Sequence, residues 1–146
     1  MSTFEDVFAL QQLVARFGNS FDTKDWAGLG HCLKADIHTD YSDLRGTPPE
    51  RMSKLRFVEL RRTALHDLQT HHLSGNVEIS VSNTSGAVKA SMVIYRRNTS
   101  GETLNTHCMY VFGVERIENE WLISSIVQKV FISDGQKTIH KGILKA

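Results

Sequence analysis

One aspartate and a pair of adjacent histidines are the residues of this sequence best suited to acid–base chemistry. Asp22 lies in the stretch Phe21–Trp26 (FDTKDW), directly after an amphipathic run, and His71 and His72 lie in a run of alternating residues. A neutral imidazole accepts a proton at pH 7, and a carboxylate on its second ring nitrogen fixes the tautomer and stabilises the imidazolium. The alternatives are helix capping for Asp22 and a satisfied core or rim position for the histidine.

Only one of the two adjacent histidines can face the interior, because successive residues of a strand point to opposite faces. Simple alternation groups His71 with Leu73 and the later apolar positions, and therefore favours His71. A bulge at Ser74–Gly75 would shift the register and bring His72 to the inner face instead. The residues alone leave both assignments open.

Three further polar residues, Tyr41, His107 and Gln128, lie among Phe, Leu and Met residues and are candidates for polarising a bound molecule. The remaining histidines show no ligand spacing with carboxylates or cysteines, so no metal site is expected. A glycine-rich phosphate loop is missing from the sequence, so no nucleotide or other cofactor is expected. The turn motif of a Ser or Cys nucleophile is missing as well.

Helical periodicity dominates the first 65 residues. Thr3 and Asp6 predict a capping box for a first helix that ends near Asn19. The pattern then predicts a short helix over 24–33 and an extended segment over 35–41. A third helix is expected to open after the prolines at 48 and 49 and to end near Leu65. Its cations, which include Arg61 and Arg62, are interpreted as a solvated face.

Alternation replaces the helical period from Leu68 onward. Strands are predicted over 68–82, 87–97, 102–117 and 120–133, with hairpin-like connections between them. Helices followed by a meander of long strands indicate an α+β fold with helices packed on one face of a strongly bent sheet. Both faces of the later strands are partly apolar, which predicts a homodimer or a higher homo-oligomer.

Composition limits the class of protein. A chain of 146 residues, 40% apolar and 23% charged, with net charge +1, is typical of one globular domain spanning 1–146. That charge gives no reason to expect nucleic acid or a membrane as a partner, so a small molecule is the expected partner. The N-terminus lacks a secretory pattern and no apolar run is long enough to span a bilayer, so a cytoplasmic protein is expected. Cys32 and Cys108 are expected to be reduced and buried.

The order of these motifs resembles the SnoaL-like branch of the nuclear transport factor two superfamily, and within it the scytalone dehydratase and hexachlorocyclohexane dehydrochlorinase group. The motifs are the FDTKDW corner, a helix opening after proline, the His-His-Leu-Ser-Gly-Asn strand and a closing hairpin centred on Glu-Trp. The resemblance implies a cystatin-like fold, a cone-shaped barrel of curved antiparallel sheet packed against three N-terminal helices.

The resemblance also implies roles for individual residues. It places Asp22 and His72 at the positions of a catalytic dyad, which overrules simple alternation and implies the bulge. The catalytic residues implied are His72, Asp22, His107 and Tyr41, and the substrate-binding residues are Gln128, Phe21, Trp26, Phe57 and Met109. Phe21 stands where the dehydratase has a tyrosine.

The sequence is thus expected to encode a cofactor-independent lyase or isomerase. The His–Asp dyad would remove a proton from a small, largely apolar, cyclic substrate. The alternative is a pocket without chemistry: a small-molecule-binding protein or an accessory subunit, such as the small subunit of a ring-hydroxylating dioxygenase. Fold alone does not decide between them.

Overall fold

The first helix begins at the predicted capping box. In the computed structural model, which describes residues 3–144, helix α1 spans Phe4–Asp22. The Thr3 side chain accepts a hydrogen bond from the Asp6 amide, and the Asp6 carboxylate accepts one from the Thr3 amide. The apolar stripe of α1 is buried against the sheet. The helix runs three residues beyond the predicted end, so that Asp22 is its last residue rather than part of a connecting corner.

Three shorter helices and one turn of 3-10 helix complete the helical part. They are α2 (Trp26–His31), α3 (Ser42–Arg45), α4 (Lys54–Leu65) and the 3-10 turn η1 (Lys137–Ile139). Helix α3 and η1 were not predicted. The expectation that one helix runs from the prolines to Leu65 was wrong at its start, because residues 50–53 form a strand. Met52 of that strand pairs with Ile37, and Ser53 caps α4 by accepting a hydrogen bond from the Arg56 amide.

Six strands form one curved sheet. They are β1 (Leu33–Asp40), β2 (Glu50–Ser53), β3 (Leu68–Ser82), β4 (Ser85–Asn98), β5 (Thr103–Ile117) and β6 (Glu120–Gly135), in the order β2-β1-β6-β5-β4-β3. Strands β3 to β6 form the predicted antiparallel meander, and β1 pairs with β6 in parallel. The α+β prediction is therefore confirmed. The cone is an open sheet, however, because β2 and β3 are free edges.

A bulge in β3 determines which histidine faces inward. The β3–β4 register shifts between Gly75 and Glu78, and Asn76 has a positive φ of 48°. Before this irregularity the even-numbered positions are the less exposed ones, and after it the odd-numbered positions are. His72 therefore lies on the inner face with the later apolar residues, whereas His71 is exposed on the outer face.

The core fills the space between the helices and the concave face of the sheet. Phe17, Phe57 and Phe112 are among its largest fully buried side chains. Both cysteines are buried there as free thiols. None of the helices between residues 3 and 144 is long and apolar enough to cross a lipid bilayer.

Candidate active site

His72 and Asp22 are hydrogen-bonded to each other inside the cone. The distance from His72 Nδ1 to Asp22 Oδ1 is 2.6 Å, and the two side chains are 6% and 15% exposed. The backbone N–H of His72 donates to Asp22 Oδ2 at 2.7 Å, and the Thr70 hydroxyl donates to Asp22 Oδ1 at 3.0 Å. Three donors from one strand therefore hold a single carboxylate at the end of α1.

Close packing between α1 and β3 makes this contact feasible. A Cβ atom added at Gly18 would lie 3.4 Å from His72 Cβ, which is van der Waals contact, so the strand passes directly against this part of the helix. One turn later in α1, the Phe21 ring stacks on the imidazole with 4.9 Å between centroids and 24° between planes. Helix α1 thus supplies both the carboxylate that orients the ring and the aromatic face on which it rests.

Burial keeps His72 neutral. It lowers the pKa of the imidazole below the usual 6.5, and this effect exceeds the opposing contribution of the Asp22 carboxylate, which raises it. Because Nδ1 faces the carboxylate, the neutral ring carries its free lone pair on Nε2. No residue between 3 and 144 makes a hydrogen bond to that atom.

The imidazole borders a small cavity of about 20 Å³, enough for a water molecule. The cavity is lined by Phe21, Tyr41, Leu44, Arg45, Arg61, Leu65, His72, Arg96, Tyr110, Gln128 and His140. A larger pocket of about 380 Å³ lies next to it, between α3, β2 and α4. Tyr41, Arg45 and Arg61 line both spaces and therefore separate them.

Two of the predicted polar residues reach the small cavity. Gln128 is 1% exposed and donates to the Tyr110 hydroxyl at 3.3 Å, but its Oε1 atom has no partner among the described residues. The Tyr41 hydroxyl is likewise buried without a partner in that part of the chain. Phe21 also lines the cavity, as predicted for a binding residue.

Two predicted binding residues, Phe57 and Trp26, do not line the cavity. Phe57 is fully buried in the core, where the Tyr41 ring and the Arg61 guanidinium group pack on its ring. Trp26 packs edge-on against Phe21, at 6.2 Å, and does not line the cavity.

The expectation that His107 and Met109 face the pocket was wrong. In β5 the fully buried positions are the even-numbered ones from Leu104 to Val114, so His107 and Met109 point to the outer face. His107 pairs there with Val93 and Ile132. Counting back from Trp121 fails because β6 has register shifts against β5, one of them beside His107.

Sequence reasoning missed three arginines and one histidine. Arg45, Arg61, Arg96 and His140 all line the cavity. Arg61 and Arg96 are 3% and 4% exposed, so the interpretation of Arg61 as part of a solvated face was wrong. The alternation of β4 could have revealed Arg96, since it follows Val88, Ala90, Met92 and Ile94 on the buried parity. Arg61 likewise lies four residues after buried Phe57 and four before buried Leu65.

Burial and the repulsion between neighbouring positive charges lower the pKa values of Arg45 and His140. Burial lowers the pKa of Arg45 to about 9, and the neighbouring Arg61 adds to the effect. Burial also lowers the pKa of His140 to about 2, with Arg45, Arg96 and Arg61 contributing. The His140 Nδ1 atom accepts a hydrogen bond from the Gly142 amide at 2.9 Å, which requires that this nitrogen be unprotonated. The site therefore carries neutral imidazoles and positive guanidinium groups at pH 7.

The residues around this cavity do not form a metal-ligand set. Within 3–144, no three His, Cys, Asp or Glu side chains come close enough together to hold an ion. The arrangement can instead accept a proton at His72 and donate hydrogen bonds from Tyr41 and the guanidinium groups.

Comparison with known proteins agrees with this architecture. The chain is 27% identical over 108 residues to the scytalone dehydratase-like protein claB of Passalora fulva, covering 74% of this chain and 59% of claB. It is 23% identical over 140 residues to the scytalone dehydratase PfmaJ of Pestalotiopsis fici, covering 88% of this chain and 73% of PfmaJ.

The fold is shared with solved structures of low sequence identity. A type 2 hexachlorocyclohexane dehydrochlorinase superposes with a TM-score of 0.78 at 14% identity, covering 93% of this chain and 92% of the other. The sequence pattern of the SnoaL-like domain matches residues 2–127, most of the chain. The chain therefore belongs to the SnoaL-like family.

Proposed function

We propose that this protein is a cofactor-independent lyase or isomerase in which His72 is the general base and Asp22 is its positioning residue. The observation that carries the proposal is the 2.6 Å contact between His72 Nδ1 and Asp22 Oδ1 beside a buried cavity. The names of two relatives, scytalone dehydratase-like protein and scytalone dehydratase, support an elimination reaction, as does that of the dehydrochlorinase with the same fold.

The proposed reaction begins with proton transfer from a carbon atom to His72 Nε2. The resulting imidazolium is stabilised by the Asp22 carboxylate at Nδ1. The electron pair left on carbon moves toward an adjacent carbonyl oxygen or expels a leaving group. General base catalysis contributes about 10²- to 10⁴-fold, so further stabilisation of the developing negative charge is required. The Tyr41 hydroxyl and the buried guanidinium groups are the donors available for it.

Substrate access requires movement of side chains. The small cavity holds about one water, whereas the adjacent pocket of about 380 Å³ is in the size range of small-molecule sites. We propose that a substrate enters from this outer pocket and displaces Arg45 or Arg61, which separate the two spaces.

Deuterium exchange with the adjacent histidine as a control would test the proposal. Cyclic ketones and cyclic alcohols with a leaving group next to an acidic C–H bond would be incubated in D2O, and mass spectrometry would follow deuterium uptake and elimination. His72→Gln should slow the reaction by about 10²- to 10⁴-fold. His71→Gln, on the outer face, should leave the rate unchanged. Equal rates for wild type and His72→Gln would refute the assignment of the base.

The small size of the inner cavity favours a second candidate function. A cavity of about 20 Å³ is also what a non-catalytic binding protein or an accessory subunit would show. In that case the outer pocket would bind ligands equally well in wild type and His72→Gln, and neither would exchange a proton.

We also propose a homodimer formed through the outer face of the sheet. Leu73, Val93, His107 and Ile132 form one row across strands β3 to β6. Leu73 and Ile132 are 63% and 60% exposed, and Phe131 beside them is 61% exposed. A contiguous apolar row of this kind is typical of a protein interface.

A further inference from the structure

The cavity beside His72 contains an excess of positive charge. Arg45 from α3, Arg61 from α4 and Arg96 from β4 converge on it from three elements. Their positive charges lower the pKa of His140, and those of Arg61 and Arg96 also lower the pKa of Arg45. Like charges brought together in a buried space repel one another strongly.

No carboxylate in the described part of the chain neutralises this cluster. The ion pairs formed by residues 3–144 involve none of the three arginines. Asp22 is hydrogen-bonded to His72 and Thr70. Glu50 and Glu59, which line the outer pocket, form ion pairs with Arg56 and Arg62 instead. The arginines have only weaker partners: Arg96 donates to the Thr106 hydroxyl at 2.8 Å, and Arg61 packs over the rings of Tyr41 and Phe57 at 4.5 and 4.2 Å.

Unused hydrogen-bond donors occur at the same place. Arg45 Nε, Arg61 Nε and the Tyr41 hydroxyl are buried without a partner among the described residues. Gln128 Oε1 and the lone pair of His72 Nε2 are the unpaired acceptors that the described residues place in the lining of the same cavity. Three donors and three positive charges therefore face a space with two free acceptors, both of them neutral. Buried polar groups in native proteins are normally satisfied. The one water for which the inner cavity has room can pair with a donor but does not offset the positive charge, so the charge excess indicates that an anion is supplied from outside the chain.

We propose that this site binds a carboxylate-bearing ligand, with the carboxylate held by Arg45 and Arg61 where the inner and outer cavities meet. The planar guanidinium fork matches a carboxylate in geometry and charge. Both arginines line the outer pocket, so they contact an incoming anion before it reaches His72. The inference deepens the proposed function and rests on it for the identity of the ligand as substrate. It replaces the apolar substrate expected from the sequence with a cyclic acid.

The experiment compares benzoate with its neutral analogue benzamide and with inorganic phosphate, by calorimetry and thermal unfolding of the full chain. Benzoate should bind and raise the melting temperature, benzamide should not, and phosphate should bind more weakly than benzoate. Arg61→Met should weaken benzoate binding by about 10- to 100-fold, the loss typical of a charge-assisted hydrogen bond.

Two variants make the result specific to the cluster. Arg62→Met is the matched control, because Arg62 is the next residue of α4 but is 54% exposed beside Glu59. It should bind benzoate as the wild type does. Arg61→Met should retain or raise the melting temperature of the unliganded protein, because it removes a buried, unpaired charge while keeping the aliphatic packing. Loss of benzoate binding without loss of folding is a result that a merely structural arginine would not give.

Four outcomes would overturn the inference. The first two are equal binding of benzoate and benzamide, and unchanged benzoate binding in Arg61→Met. The other two are phosphate binding tighter than benzoate, and no binding of any anion. His72→Gln separates this inference from the proposed function, because it removes the base and keeps the arginines. Benzoate binding retained in His72→Gln supports the carboxylate site whether or not the wild type exchanges protons. His72-dependent exchange with benzoate binding independent of Arg61 would refute the carboxylate site alone.

Discussion

His140 should make the folded state sensitive to mild acid. Its ring is 2% exposed, accepts a hydrogen bond at Nδ1 and is close to the positive charges of Arg45, Arg61 and Arg96. Burial and these charges lower its pKa from 6.5 to about 2. Between these two pH values the unfolded chain binds a proton at this residue and the native state does not. Stability therefore falls as the pH decreases from 6.5.

The size of the effect follows from proton linkage. One such histidine costs about 1.4 kcal/mol for each pH unit below 6.5, so acidification to about pH 4.5 removes about 2 to 3 kcal/mol. His72, whose pKa is also lowered by burial, adds to the same trend. The pKa values of Asp6, Asp40 and Asp67 are also lowered, but these carboxylates affect stability only at more acidic pH. Their contribution to the free energy of unfolding is lost as the pH falls through about 4 and below.

His140→Gln isolates this contribution. Glutamine does not titrate, and its side-chain oxygen can accept the Gly142 amide in place of Nδ1. Urea unfolding followed by tryptophan fluorescence at several pH values between 4.5 and 7.5 would measure the free energy of unfolding. For each pH unit of acidification below 6.5, the free energy of unfolding of the variant should fall by about 1.4 kcal/mol less than that of the wild type. His31→Gln, at an exposed position at the end of α2, is the control. The same pH dependence in His140→Gln and wild type would refute the reasoning.

Three other predictions concern the dyad, the cysteines and the outer face. Asp22→Asn should lower the pKa of His72 further, because the carboxylate is what raises it; an NMR titration that finds a higher pKa would contradict this. Cys32 and Cys108, whose pKa values burial raises to about 11, should be about a thousandth ionised at pH 8. They should therefore resist iodoacetamide until urea is added, and rapid native alkylation would show that they are accessible. Leu73→Lys should convert the proposed dimer to a monomer in light scattering, whereas Leu55→Lys, on α4 and 77% exposed, should not; a wild-type monomer would refute the interface.

Local patterns were sufficient for most of the fold. The capping box at Thr3 and the long alternating runs depend on neighbours within a few residues, and both are confirmed. The error at residues 50–53 has a physical cause. Four residues are too few for a period to distinguish helix from strand, and pairing of β2 with the distant β1 decided the outcome. In β3, alternation alone favoured His71, and one bulge reversed the assignment for every residue on the strand before it.

The chemistry of the site depended more on tertiary contacts than the fold did. Asp22 and His72 are fifty positions apart, and only the resemblance to a family brought them together in advance. The arginines had no such guide, because a cation among apolar residues on a helix is most often on the solvated side. Periodicity carries a signal for the burial of Arg61 and Arg96, but the convergence of the three arginines becomes evident only when a four-residue helix, a longer helix and a strand meet at one cavity. Because a buried charge without a counter-ion destabilises a fold, the buried charges of Arg61 and Arg96, next to the half-buried Arg45, are better explained by binding than by folding. The family resemblance predicted His72 as the base, and the arginines of the tertiary structure are the observation from which we propose a negative charge on the molecule that it would act on.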